Sequence, residues 1–367
     1  MDYVNAGLMR PGVTNSIVKN LIIGSEPTTL LQSKFKRVVR KTLAAAWNVK
    51  RFGETVETDV VRGADGNLVK FPKMTYKDVV PPYYYNKLNV TQVDGYDRVF
   101  SAKDSGNIEI GYFNDFRANL MEQIKQLQAR HVRAVELQAQ EVFSKGTVTP
   151  VNAPQIDFKR HADSIIPYSD AVNWSDPNVD PRILLEKMCI YERAYGQSED
   201  SEFDAYVGAG VYSAFINNPF IVRAEQFHVN ELTAANLKRL PTGAVAVKRV
   251  NCGSFAVNII TYPQVYTPAG VTDLTGAAKV PYIGNGQIFL TPVNAEFGTI
   301  CCAVPMLPPE ILAEMPGWKP VGTVDGMFYI GEYLDVPRRG WYLTIESAPL
   351  TVPFAVDQMV TATVLPG

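Results

Sequence analysis

The sequence predicts an α+β fold organised around one long amphipathic helix. Residues 113–145 repeat large apolar side chains at helical spacing, while charged residues such as Arg130 and Glu136 fall on the opposite face. Residues 49–80 and 203–340 contain short extended runs separated by proline and glycine, which is typical of strands and turns. The last run, LTVPFAVDQMVTATVLPG, is predicted to form a strand that pairs with an earlier part of the chain.

The long helix has recognisable end signals. Asn114 or Asp115 is the predicted N-cap, and Gly146 supplies the left-handed residue that ends the helix. The helix would span about 45 Å, so we interpret it as a strut lying across a sheet or hairpin. A coiled coil is the alternative, but the apolar stripe covers fewer heptads than a coiled coil requires.

The first 48 residues are predicted to form an N-terminal arm. Residues 1–26 have no long period and are expected to be extended. Residues 27–47 are predicted to form a second helix, because every fourth residue from Leu31 to Trp47 is apolar. A basic face accompanies it and consists of Lys34, Arg37, Arg40 and Lys41. This face is either solvated surface or a contact with a polyanion or an acidic partner.

Residues 49–80 are predicted to form a polar hairpin. Its tip consists of Gly63, Ala64, Asp65 and Gly66, and Asp-Gly between two β-prone runs is a strong hairpin signal. Charges are scattered along both arms, and a hairpin this polar does not fold alone. We therefore expect it to dock on the rest of its own chain or on a neighbouring subunit. The aromatic return PPYYY is interpreted as packing.

The segment after the long helix mixes helices and strands. Asp180 before Pro181 predicts a helix through about Arg193. Further helices are predicted at YVGAGVYSAFINN and AANLKRL. Strands are predicted at AVAVKRV, FAVNIITY, QIFLTP, GTICCAVPM and WYLTIES.

Composition excludes several classes of protein. The formal net charge of -2 over 367 residues argues against a freestanding nucleic-acid binder. No apolar run is long enough to span a bilayer, and the first residues lack the features of a signal peptide, so we expect folding in a cytoplasm. The four cysteines contain no C-x-x-C pair and are expected to be free, buried thiols.

No motif for chemistry is evident, so we predict no catalytic, cofactor-binding or metal-binding residue. Gly208 and Gly210 lack the third glycine of a dinucleotide-binding loop, and the three histidines are too widely spaced for a metal site. The acidic run from Glu199 to Asp204 lacks the spacing of an EF-hand and is interpreted as a solvated loop. An enzyme with carboxylates brought together only in space stays an alternative.

The order of these elements resembles the major capsid proteins of tailed bacteriophages, with their fold of the Hong Kong ninety-seven type. Local sequence is similar to the lambda-type branch, the major capsid protein E family. The similar segments are PPYYYNKLNVTQVDGYDRVF, EVFSKGTVTP, IDFKRHADSIIPYSDAVNWSDPNVDPRILLEKM and IESAPLTVPFAVDQMVTATV.

This resemblance implies a division of the chain. Residues 1–48 would be the N-arm, 49–95 the E-loop hairpin and its return, and 96–180 the peripheral domain with the spine helix 113–145. Residues 181–340 would be the axial domain, and 341–367 the C-terminal strands of the peripheral domain. The tip Gly63–Gly66 would reach over an adjacent subunit, and the basic face Lys34, Arg37, Arg40 and Lys41 would face the interior or a neighbour.

The resemblance also implies a function. The chain would be a non-enzymatic virion protein that self-assembles into hexamers and pentamers of an icosahedral head around double-stranded DNA. Its partners would be copies of itself, a decoration or cement protein, a scaffold, a portal and, without sequence specificity, the packaged DNA, with no membrane involved. Assembly would take place in the host cytoplasm, without covalent cross-links. The alternative is the shell of an encapsulin-like compartment.

Overall fold

The structure of the protein is a computed structural model that describes nine stretches of the chain. These are residues 29–49, 75–89, 108–227, 238–240, 242–268, 279–303, 318–324, 328–335 and 340–366. The helices in these stretches are α1 (Ile108–Lys145), α2 (Pro181–Tyr191), α3 (Ala209–Asn217) and α4 (Pro219–Phe227). A π-helical turn, Glu192–Gly196, extends α2. Short 3-10 turns occur at Gln32–Lys34, Ala162–Ser164 and Asp170–Val172.

The largest sheet has seven strands. Its spatial order is β7 (Ile165–Ile166), β20 (Val360–Thr363), β14 (Gln287–Pro292), β8 (Glu202–Val207), β11 (Phe255–Thr261), β10 (Val245–Cys252) and β9 (Lys238–Arg239). The β8–β11 and β20–β7 pairs are parallel, and the other pairs are antiparallel. The C-terminal strand β20 therefore lies between β7 and β14, two strands from much earlier in the sequence.

Two smaller sheets surround the long helix. One has the order β1 (Phe35–Val39), β15 (Phe297–Cys301) and β19 (Pro349–Pro353). The other has the order β16 (Trp318–Val324), β17 (Phe328–Asp335), β18 (Gly340–Ser347) and β4 (Tyr84–Asn89). Two-stranded pairs complete the described strands: β2 (Ala45–Val49) with β3 (Thr75–Val79), β5 (Thr147–Val148) with β6 (Ile156–Asp157), and β12 (Val265–Tyr266) with β13 (Val280–Pro281).

The seven-stranded sheet separates two hydrophobic cores. Alternate side chains of β8 point to opposite sides, so Tyr206 joins the core that contains Val142 and Phe143 of α1. Phe203, Ala205 and Val207 join the other core, with side chains of α2 and α3. Both faces of this sheet are therefore buried, and the layer of α2 and α3 lies on the face opposite α1.

The long helix is confirmed, and so is its C-terminal end. It runs from Ile108 to Lys145 and would be about 57 Å long, and Gly146 has a left-handed φ of 69°. It starts five residues before the predicted start at 113, so the proposed N-caps at Asn114 and Asp115 are wrong. The predicted charged face is also wrong at Glu136, which is fully buried. The α+β class and the capsid-type fold are confirmed.

The helix predicted for residues 27–47 is wrong. The described part of this segment forms a 3-10 turn followed by the strands β1 and β2. Apolar residues at every fourth position fit a strand as well as a helix, because four is also a multiple of the strand period of two. The pairing of Phe35–Val39 with Phe297–Cys301 decided the outcome, and no local signal in the sequence revealed this parallel partner.

A two-stranded ribbon leads into the predicted hairpin, but its first strand lies mostly in the segment predicted as helix, and most of the predicted arms lie outside the described residues. Strands β2 and β3 pair antiparallel, from Ala45 opposite Val79 to Val49 opposite Thr75. The predicted tip at 63–66 and the arm at 1–26 lie outside the described residues. The predicted domain division also stays a prediction, although the seven-stranded sheet joins β7 and β20 to strands assigned to the axial domain.

Other local predictions had mixed outcomes. The Asp180–Pro181 signal is confirmed, since the Asp180 side chain caps α2 by accepting a hydrogen bond from the Arg182 N–H at 3.0 Å. Four of the predicted strand segments are confirmed as β10, β11, β14 and β18, and the described part of GTICCAVPM is the strand β15 as far as Cys301. The C-terminal run forms two strands, β19 and β20, instead of one. Helix α4 was missed, and the described end of AANLKRL is the strand β9.

Candidate assembly surfaces

The candidate chemical motifs of the sequence are structural in the molecule. Gly208 and Gly210 lie where strand β8 turns into α3, against the backbone of Gly284 and Asn285. A Cβ at Gly208 would lie 2.2 Å from the Gly284 carbonyl oxygen, so this glycine permits a close backbone approach. The Val211 N–H already donates to Asn285 O at 3.0 Å. The first turn of α3 is therefore engaged by the chain itself rather than open to a phosphate group.

The acidic run is held by hydrogen bonds and ion pairs. Asp200 accepts from the Asn294 side chain at 2.9 Å, and the Asn258 amide bridges Glu202 and Asp204 at 2.9 and 3.0 Å. Among the described residues, no group of three or more potential ligands is arranged to hold a metal ion. None of the helices in this part of the chain is long and apolar enough to cross a membrane.

All four cysteines are buried free thiols, as the sequence predicted. Burial raises the pKa of Cys252 to about 12, so this thiol stays protonated at neutral pH. Burial likewise raises the pKa of Cys189. These cysteines pack in the protein core.

The structure divides the predicted basic face into two parts. Lys34 turns toward its own chain, where Nζ donates to Asp204 Oδ2 at 2.6 Å and the side chain is only 17% exposed. Arg37, Arg40 and Lys41 are exposed, along with Lys36, on β1 and the turn that follows it. The exposed basic surface therefore consists of Lys36, Arg37, Arg40 and Lys41, and Lys34 is not part of it.

A buried carboxylate fastens the N-terminal segment to the long helix. Glu136 of α1 accepts hydrogen bonds from the Leu31 N–H at 3.0 Å and the Gln32 N–H at 2.9 Å. Burial raises the pKa of Glu136, and these hydrogen bonds offset part of that effect. The contact spans more than one hundred residues of sequence and fixes where the chain enters β1.

The Arg160 guanidinium ties together the end of the long helix and the C-terminal strand. It donates to Phe143 O at 2.5 Å, Ser164 Oγ at 2.6 Å and Met359 O at 2.9 Å. Burial lowers its pKa to about 10, and the nearby Glu192 carboxyl group offsets part of that shift. Sequence reasoning missed Arg160, because its acceptors are mostly backbone carbonyls distant in sequence.

A buried histidine connects the same helix to the four-stranded sheet. His131 Nε2 lies 2.7 Å from Asn86 Nδ2, and Nδ1 lies 2.6 Å from Ser347 Oγ. Since the Asn86 amide nitrogen is a donor, Nε2 accepts and the proton is assigned to Nδ1, which donates to Ser347. Burial lowers the pKa of His131 to about 4, so the imidazole is neutral at pH 7.

One sequence signal for these buried polar groups was available. Ile124, Gln128, Val132 and Glu136 follow each other at intervals of four residues, which places them on one face of α1. All four are buried. The burial of Gln128 and Glu136 could have been predicted, because both lie on the same helix face as the apolar residues Ile124 and Val132.

Comparison with solved structures identifies the fold. A prophage protein of E. coli CFT073, described as a capsid protein, superposes with a TM-score of 0.61 and 17% identity, covering 96% of this chain and 98% of that chain. A phage-related protein of Bordetella bronchiseptica RB50 gives a TM-score of 0.51 and 13% identity over 96% and 97% of the two chains. A chain of the cyanophage A-1(L) capsid gives 0.47 and 10% identity over 93% and 95%. The fold is that of phage capsid proteins.

The family follows from the sequence. The model of a family described as phage major capsid protein E matches residues 60–364. The chain therefore belongs to the phage major capsid protein E family and is a protein of the phage head shell. A search of curated protein sequences found no match. The family assignment favours the viral head over the encapsulin-like alternative.

Proposed function

We propose that this head shell protein assembles into hexamers and pentamers, and that these form an icosahedral head enclosing double-stranded DNA. The observation that carries the proposal is the two-stranded ribbon formed by β2 and β3, which are paired only with each other in the described part of the chain. Such a ribbon has little stability of its own in water. Its base packs on the core of its own subunit, and we propose that a neighbouring subunit contacts the part of the hairpin beyond that base.

The base of the ribbon is fastened to the subunit. Ala45 and Trp47 are buried, and the Trp47 ring lies 5.7 Å from the Phe158 ring. Beyond Val49 and Thr75 the chain continues through residues 50–74, which contain the polar segment Gly63–Gly66. We propose that this E-loop tip contacts an adjacent subunit, because polar arms of this kind gain stability from buried interface.

The exposed basic residues Arg37, Arg40 and Lys41 are proposed to face the shell interior or acids of a neighbouring subunit. Four cations and no carboxylate occur between residues 36 and 41, so the local charge is strongly positive although the whole chain is not. Contact with packaged DNA would be independent of its sequence, since phosphate charge would dominate it. Lys34 contributes to folding instead, through Asp204.

Further parts of the proposal concern organisation and partners. We propose that residues 96–180 and 341–367 form the peripheral domain and 181–340 the axial domain, which would share the seven-stranded sheet. A decoration or cement protein, a scaffold and a portal are proposed partners, with assembly in the host cytoplasm. The protein is proposed to act without enzymatic activity and without covalent cross-links between subunits. A ladder of multimers that survives boiling in detergent would contradict the last point.

Electron microscopy tests the assembly directly. The chain is expressed alone and with the neighbouring genes, then analysed by negative-stain microscopy and size-exclusion chromatography. Closed shells, tubes or hexameric rings are the expected products. A uniform monomer or dimer under all conditions would overturn the proposed assembly.

The role of the hairpin tip is tested separately. A variant in which residues 60–69 are replaced by a short glycine-serine linker is expected to keep the circular dichroism spectrum and thermal transition of the monomer, yet to lose particles. Replacement of the exposed residues 151–153, next to the β5–β6 pair, is the matched control and should leave particles intact. Normal particles from the tip variant would contradict an inter-subunit role for the tip.

A further inference from the structure

We propose that β1 of one copy docks on the exposed side chains of segment 163–176 of a neighbouring copy, so that a basic sheet edge meets an acidic one. The inference rests on the proposed self-assembly and names two surfaces that would carry it. The contact is heterologous, because it joins different surfaces of two identical chains. Such contacts produce rings when the rotation closes and extended assemblies when it does not.

The basic surface is an open sheet edge. In the described part of the chain, β1 is the terminal strand of its three-stranded sheet and pairs only with β15. Within the described residues, Lys36, Arg40 and Lys41 form no ion pair with an acid. Two apolar side chains lie among them, Val39 at 53% and Leu43 at 58% exposure. An edge strand with this pattern is suited to pairing with another protein segment.

The acidic surface is a second open edge. Strand β7 is the terminal strand of the seven-stranded sheet and pairs only with β20 in the described part of the chain. The segment 163–176 contains Asp163, Asp170 and Asp176 and no lysine or arginine. Its partly exposed apolar side chains are Ile165 and Tyr168, at 40% and 37% exposure. In the described structure the carboxylates of these aspartates contact only His161, Tyr168 and the nearby Asn178.

The two surfaces are complementary in three respects. Between residues 35 and 44 the formal charge is +4, from four cations and no acid, and between 163 and 176 it is -3, from three acids and no lysine or arginine. Each surface has two exposed apolar side chains next to its charged residues. Each also ends a sheet, so backbone pairing of edges is available in addition to charge attraction. Complementary charge would favour this contact over pairing of either edge with its own copy.

The mixed character of the basic edge favours a protein partner over DNA. Phosphate contacts require cations but gain nothing from Val39 and Leu43, which expose more than half of their surface. A segment that exposes both charged and apolar groups is matched by a segment of similar mixed composition and opposite charge. Segment 163–176 of a second copy supplies both.

Cysteine cross-linking between two differently tagged chains tests the contact. One chain carries Val39→Cys, and the other carries Ile165→Cys; the natural cysteines are buried and give little background. After co-assembly and mild oxidation, a disulfide-linked dimer containing one copy of each tag is expected. Neither variant alone should give this product. Val39→Cys mixed with Val151→Cys is the control, because Val151 is 94% exposed but lies in the β5–β6 turn, outside the segment 163–176.

Charge exchange provides the second test. The pair Arg40→Glu and Lys41→Glu, or the pair Asp163→Lys and Asp170→Lys, is expected to reduce the assembled fraction at least tenfold at about 0.1 M salt. All four changes together should restore assembly. Lys187→Glu and Glu199→Lys alter exposed charges elsewhere and should have no such effect. Circular dichroism melting of each variant verifies that the monomer is folded.

The outcomes separate the two proposals. Wild-type particles with no cross-link above the Val151 control, or with both charge variants assembling normally, would overturn the contact while leaving the assembly intact. Failure of the fourfold variant to recover would also count against direct pairing. If the wild-type chain forms no particles, the proposed assembly fails, and the two-tag cross-link in concentrated solution still decides whether the surfaces meet.

Discussion

Removing the Glu136 carboxylate should release the N-terminal segment from the long helix. In the native chain this side chain accepts the Leu31 and Gln32 amides at 3.0 and 2.9 Å, inside the core. Glu136→Ala would leave the buried Leu31 N–H and the partly buried Gln32 N–H without their acceptor. The segment that leads into β1 would then open more often, while α1 itself should persist.

The magnitude follows from the two hydrogen bonds. A hydrogen bond to a charged group contributes about 1.5–3 kcal/mol, so two such bonds give roughly 3–6 kcal/mol. Burial raises the pKa of Glu136, which shows that desolvation offsets part of this gain. We therefore expect the variant to lose about 2–4 kcal/mol. This corresponds to roughly 30-fold to 1,000-fold faster amide exchange at Leu31 and Gln32 if they exchange by local opening.

Hydrogen exchange of the unassembled chain is the assay, with urea unfolding as a second measurement. Glu141→Ala is the matched control, because Glu141 lies on the same helix and also accepts a backbone N–H, that of Thr149 at 2.8 Å, but near solvent. Its loss should cost less than about 1 kcal/mol. If Glu136→Ala exchanged no faster at residues 31 and 32 than Glu141→Ala, the anchoring argument would be refuted.

Three further predictions concern the same region. The pKa of His131 is about 4 in the folded chain and 6.5 in the unfolded chain, so the unfolded state binds more protons between these two values. The free energy of unfolding should therefore fall by up to about 3 kcal/mol as the pH drops from about 6.5 to 4. Urea titrations of His131→Gln should show a weaker dependence of this free energy on pH. Gly146→Ala should lower the stability measured by thermal unfolding by about 2 kcal/mol or more, because φ is 69° and the new Cβ would lie 2.8 Å from Arg160 Cβ. Gly253→Ala is the control and should cost less, because the atoms nearest to its new Cβ belong to the flexible end of the Glu186 side chain. Arg160→Lys should lower the free energy of unfolding in urea by about 3 kcal/mol, since one ammonium group cannot reach all the acceptors of the guanidinium. Arg182→Lys is the control, and its free energy of unfolding should stay within about 1 kcal/mol of the native value.

Local signals predicted those elements whose stabilising contacts lie close in sequence. The end of α1 at Gly146 and the start of α2 at Asp180 were found because a left-handed glycine and a capping aspartate act within a few residues. The strand β2 at the base of the hairpin was missed, because Ala45–Trp47 fell in the segment predicted as helix and its partner β3 lies about thirty residues later. The tip at 63–66 and the domain division stay predictions.

Contacts between distant segments explain the errors. The segment 35–39 was predicted as helix, yet a parallel partner more than two hundred residues later makes it a strand. Glu136 was placed on the solvated face, although residues 31 and 32 cover it. A helical pattern records which face is apolar, but it does not record which other segment supplies a hydrogen-bond donor to that face.

The sequence by itself determined the α+β class, the long helix and the family, because periodicity, end signals and segment order are written along the chain. The tertiary structure decided which charges are available for assembly. Lys34 and Arg37 belong to the same predicted basic face, but only the fold shows that Lys34 is bound to Asp204 while Arg37 is exposed. The physical reason is that burial and ion pairing depend on neighbours in space, and these come from segments that local sequence patterns do not connect.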